Sequence, residues 1–154
     1  MQPLYRAVVA HGRDPRWYEG GIPDTMDGRF EIIAAVLAHV LLRLERDEDA
    51  RAPSTWLTEL FVDDMDGQLR QIGIGDLMVG KHLGKMMAAL GGRLGAYRQA
   101  SDARAIAHVL SRNLGEQCAE NSLTDAATRL SAFTVALSAT PVPAILAGHL
   151  PDLD

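Results

Sequence analysis

The sequence has one cysteine, Cys118, among 154 residues. A single thiol forms no internal disulfide and builds no zinc site alone, so neither cross-link contributes to this fold, and a reducing compartment is the natural setting. Aromatic residues are scarce at 5%. Strands are dominated by β-branched and aromatic side chains, so an Ala- and Leu-rich chain with few aromatics favours helices. A basic excess is lacking too, the formal net charge being −5. Nucleic-acid binders draw most of their affinity from phosphate neutralisation, so the balance points away from a nucleic-acid partner. No apolar run approaches the roughly twenty residues of a membrane-spanning helix, the longest being Ile32 to Leu42 with His39 inside it. The opening residues carry no secretory pattern.

What is present is a core's worth of apolar residues, 47%, with 23% charged. That composition suits one ordered domain over residues 1–154. Hydrophobic spacing predicts an all-α, single compact bundle of about six to seven helices. A short helix is expected over residues 3–13, then an ordered turn-rich loop through Asp14-Pro15, Gly20-Gly21 and Pro23. A central helix starts near Asp24-Thr25, with Phe30, Ile33, Leu37, Leu41 and Leu44 as one stripe and Ile32, Val36 and Val40 as a second. The next starts at Pro53-Ser54-Thr55 and stops at Gly73; another is capped by Asp76 and runs to about Gln99. A helix ending at Gly115, a loop over 116–123, a helix capped by Thr124 and a final short helix, Ala144–His149, complete the expectation.

Two helices carry the chemistry worth weighing. The first holds Asp63, Asp64 and Asp66. Clustered carboxylates on a helix suit Mg²⁺, and isoprenoid synthases place Asp-Asp-x-x-Asp on such a helix to hold a diphosphate. Here Gly67 stands where the third carboxylate belongs, and the alternative is a solvated acidic face. A small Mg-dependent diphosphate- or isoprenoid-handling enzyme is therefore the rival reading. The five histidines share no ligand spacing, and no nucleophile elbow is present, so the sequence offers no cofactor site and no catalytic group.

The second helix is unusual. It carries Lys81, Lys85, Arg93 and Arg98 with no acid after Asp76, and five glycines. Each glycine costs about 1 kcal/mol against alanine inside a helix. Gly84, Ala88, Gly91 and Gly95 fall on one face, a smooth strip that lets another backbone approach closely. Met86 and Met87 add adaptable apolar surface, or simply fill the core. The basic helix either complements the acidic one as a hairpin or presents a face to a partner.

The stretch Phe61-Val62-Asp63-Asp64-Met65-Asp66-Gly67-Gln68-Leu69-Arg70, then Gly73-Ile74-Gly75-Asp76-Leu77, Val79-Gly80-Lys81-His82 and Lys85-Met86-Met87, resembles the ubiquinol–cytochrome c chaperone family. The segments Leu4–Ala7 and Gly21–Phe30 are similar to it as well. The resemblance implies a non-enzymatic assembly factor for respiratory complex III that binds newly made cytochrome b until haem and other subunits are added. It implies a protein of the cytoplasm, peripherally associated with the inner membrane, with contact to membrane or ribosome. Without the N-terminal extension of mitochondrial members, the chain resembles a bacterial version. It departs from the family at Leu90-Gly91-Gly92-Arg93-Leu94-Gly95, where an aromatic-rich end is expected. On this reading Asp63, Asp64, Asp66, Lys81, Gly84, Lys85, Met86, Met87, Gly91, Arg93 and Gly95 are the candidate partner-binding residues. The sequence leaves the oligomeric state open. A third reading is a structural subunit that stays with the mature complex.

Overall fold

The computed structural model describes residues 2–152. Those residues form helices joined by short turns: α1 (Gln2–Gly12), α2 (Pro15–Glu19), α3 (Met26–Glu45), α4 (Arg51–Gln71), α5 (Asp76–Gln99), α6 (Ala103–Leu114), α7 (Glu120–Ser138) and α8 (Val142–Leu146). A 3₁₀ turn, Glu48–Ala50, links α3 to α4. The all-α expectation holds, and α2 and α8 are each only five residues long.

α3 is the axis of the bundle. Every residue from Ala34 to Leu41 is buried, and α1, α4, α5, α6 and α7 all pack on it. A helix apolar on every side has no solvent face and must be surrounded. Thr25 starts it, its hydroxyl accepting from the Gly28 amide at 3.1 Å. At its far end Arg43 donates to the carbonyls of Leu137 and Thr140 at 2.9 and 3.0 Å, closing the C-terminus of α7. One buried cluster draws side chains from every helix, including Trp17 of α2 and Ile145 of α8.

Several boundaries differ from the expected ones, the start of α4 among them, at Arg51 rather than Pro53. The loop after α1 contains α2, capped by Asp14, whose carboxylate accepts from the Arg16 amide at 2.9 Å. α7 begins at Glu120, one turn before Thr124; the Thr124 hydroxyl instead donates back to the Glu120 carbonyl at 3.0 Å. Burial of Leu123 anchors that extra turn despite its polar neighbours. The α5 cap is Gly75, because the Asp76 carboxylate is drawn to Arg70. α8 starts at Val142, with Pro143 in its first turn.

His39 lies in the middle of α3 at 5% exposure, its Nδ1 bonded to the Ala35 carbonyl at 2.7 Å. Its ring meets that of Tyr97 with centroids 4.7 Å apart, and the Tyr97 hydroxyl has no hydrogen-bond partner among the described residues. Burial holds the His39 pKa below its ordinary value. The imidazole is neutral in the fold and takes up a proton more readily when unfolded. Its contribution is therefore complete above pH ~6.5 and is lost as pH falls toward the folded pKa, with a slope of at most about 1.4 kcal/mol per pH unit. Urea unfolding at pH 7.5 and 5.5 should show this acid loss in the native chain and less of it in His39→Phe. An equal acid loss in both proteins would assign it to other groups.

Candidate functional site

A groove of about 1260 Å³ opens between two walls. One wall is built by α1, α2, the loop after it and the start of α3. The other is the hairpin of α4 and α5. Val9, Phe30, Ile33, Phe61, Met65 and Met86 give the groove an apolar lining, while Arg13, Glu19, Asp27, Arg29 and Lys85 stand among its polar residues. Trp17 supports the first wall from behind: it is 1% exposed, and its indole donates to the His11 carbonyl at 2.7 Å. Tyr18, which lines the groove, donates to the Gly12 carbonyl at 2.7 Å. Gly28 holds the loop tightly against α3, since a Cβ there would lie 1.9 Å from the Pro23 carbonyl oxygen.

The two walls are tied across the floor. The Tyr5 hydroxyl donates to the Asp64 carboxylate, and the rings of Phe30 and Phe61 lie 6.2 Å apart. Burial and the Asp64 partner push the Tyr5 phenol well above its usual pKa, and burial and Asp24 raise that of Tyr18. Both hydroxyls stay protonated and act as donors.

The candidate residues read from the sequence fall into three groups. Asp64, Lys85 and Met86 line the groove. Gly84, Gly91 and Gly95 lie elsewhere on α5, where a Cβ would meet nothing within 4 Å, so no described neighbour covers the strip. Lys81 is exposed, and no described carboxylate pairs with Lys81 or Lys85. The remaining candidates, Asp63 apart, are held by, or lie against, the protein itself. Arg93 reaches α3, where its guanidinium forks onto the Glu31 carboxylate and sits 5.5 Å from the Phe30 ring. Met87 is half-buried and lies outside the groove.

Two expectations for the charged helices are corrected. The basic helix is not paired to the acidic one through its own bases: Arg93 and Arg98 reach Glu31 and Glu45 of α3, the latter pair at 2.6 Å. The acidic face is not simply solvated: Asp64 takes bonds from Tyr5 and Gln68, and Asp66 pairs with Arg70 at 3.1 Å. Asp63 is exposed. Among the described residues no group of His, Cys, Asp or Glu is arranged to hold a metal ion, so nothing supports the magnesium-enzyme reading of Asp63, Asp64 and Asp66.

Residues missed by helix-by-helix reading complete the groove: Tyr5, Tyr18, Phe30, Ile33, Phe61 and Met65. A signal for several of them was available. Segments 4–7, 21–30 and 61–70, distant in sequence, are those that carry the family resemblance, and they meet around this groove.

The family model of the ubiquinol-cytochrome C chaperone matches residues 19–151. The chain belongs to this family. The chaperone is also similar to a solved structure described as the Cbp3 homolog from Brucella abortus, with 29% identity and a TM-score of 0.86 over 99% of this chain and 88% of that one. No curated protein matches the sequence. Membership makes the protein a non-enzymatic chaperone in the assembly of the ubiquinol–cytochrome c reductase complex, respiratory complex III. None of its described helices is long and apolar enough to cross a membrane.

Proposed function

We propose that this chaperone holds newly made cytochrome b, seating an apolar segment of the client in the groove and against the uncovered face of α5. The observation that carries this reading is the convergence of the family-resembling segments on one apolar groove. An apolar helix fits such a surface, with methionine giving adaptable contact. On another face of α5 the strip of Gly84, Gly91 and Gly95 admits a close backbone. Lys81 and Lys85, free of described carboxylates, are placed for the polar end of the client or for lipid headgroups, which favours a chaperone working against the inner membrane.

The test is recovery of cytochrome b with tagged protein from membranes of a deletion strain. Normal cytochrome b and complex III levels in cells lacking the gene would remove the proposal. Gly84→Leu and Gly91→Leu should each lower client recovery about tenfold by occupying the open strip, with helical circular dichroism unchanged. Unfolding of either variant would instead show that the strip is internal packing.

A further inference from the structure

The far end of the α4–α5 hairpin packs on itself rather than on the body. In α4, Met65 belongs to the main buried cluster, whereas Leu69, one turn later, is buried outside it. In α5, Leu83 packs against the cluster, whereas Val79, one turn earlier, is buried outside it. The boundary therefore crosses both helices at one level. A glycine stands at that level in each: Gly67 between Met65 and Leu69, and Gly80 between Val79 and Leu83.

Neither glycine is required by close packing or by its backbone conformation. A Cβ at Gly67 or Gly80 would meet nothing within 4 Å, and neither has positive φ. What remains is the loss of stiffness that glycine brings to a helix. The tip's polar bonds agree. Among the described residues, every side-chain hydrogen bond or ion pair made by residues 68–81 ends on α4 or α5, as Arg70 does on Asp66 and Asp76.

From this juxtaposition we infer that residues 67–80 form a flap hinged at Gly67 and Gly80, which swings over the groove. Leu69 and Ile72 of the flap line the groove opposite Met26. Ile72, Leu77 and Met78 are 62%, 93% and 48% exposed, so the flap carries apolar surface that the rest of the chain leaves uncovered. Closure brings this surface onto whatever the groove holds. Closure on cytochrome b rests on the proposed function, but the motion is a property of the free chain and is tested there.

The experiment measures spin-label distances in a Cys118→Ser background. One pair joins the flap to the body, Leu77→Cys with Val135→Cys. A control pair lies within the body, Trp56→Cys with Val135→Cys. All three labelled positions are exposed. The flap pair should give a distribution at least about twice as wide as the control, and Gly67→Ala with Gly80→Ala should bring it back to the control width, because alanine stiffens an open helical position. A flap pair as narrow as the control overturns the inference. A wide distribution unchanged by the two alanines overturns the hinge. Neither result depends on whether cytochrome b is recovered in the pull-down.

Discussion

Arg93→Leu should cost the protein about 3–5 kcal/mol, because it leaves a carboxylate buried without its partner. Glu31 is 5% exposed at the side chain and Arg93 14%, so the pair sits inside the α3–α5 seam. The guanidinium there does three things. It makes a two-pronged bond to Glu31, donates to the Ala89 carbonyl at 3.0 Å and stacks near Phe30. Leucine replaces the bulk and none of the charge. The reverse change, Glu31→Gln, should cost less, about 1–3 kcal/mol, because the neutral amide keeps a hydrogen bond to the guanidinium. The double variant Glu31→Leu with Arg93→Leu should recover much of the loss, as replacement of both buried charges by apolar groups commonly does. Urea unfolding followed by circular dichroism measures all three. Equal losses in the single and double variants would show that the charge pairing is not what matters.

Trp17→Ala should cost a similar amount, about 3–5 kcal/mol, by emptying the space that supports the first wall of the groove. Trp17→Phe should cost nearer 1 kcal/mol, the loss of the hydrogen bond to His11 with most of the packing kept. The larger change also has a functional reach. α2 stands on Trp17, and Pro15, Tyr18 and Glu19 of α2 line the groove. The variant should therefore hold client poorly even at temperatures where α3 to α7 remain folded. Fluorescence separates the two tryptophans of the chain, since Trp17 is buried and Trp56 is 54% exposed. If Trp17→Ala loses less than about 1 kcal/mol, another residue anchors that wall.

Both predictions rest on side chains whose roles the sequence disguised. Helix existence and helix type were legible, because α3, α4 and α5 repeat apolar residues at helical spacing over many turns. Short elements were not: α2 is a single turn, and its signal is a proline and a capping Asp rather than a stripe. The start of α7 was hidden because one buried leucine, Leu123, outweighs a polar stretch. The site was legible in part. Asp64, Lys85 and Met86, singled out in the sequence, line the candidate groove, but Arg93 looks the same in sequence whether it faces solvent or α3. Ion-pair choice depends on which helix lies opposite, and periodicity within one helix carries no such information. The open glycine strip is the converse case. Its cost in helix stability was visible, and its exposure became visible only once the neighbours of α5 were placed.

α3 has a further meaning for how this molecule comes into being. It is made early in the chain, yet the helices that enclose it on several sides, α5, α6 and α7, are made after it. A chain released from the ribosome before Phe133 would carry a twenty-residue apolar rod with part of its sheath missing. The chaperone thus begins life needing shelter for an apolar helix of its own.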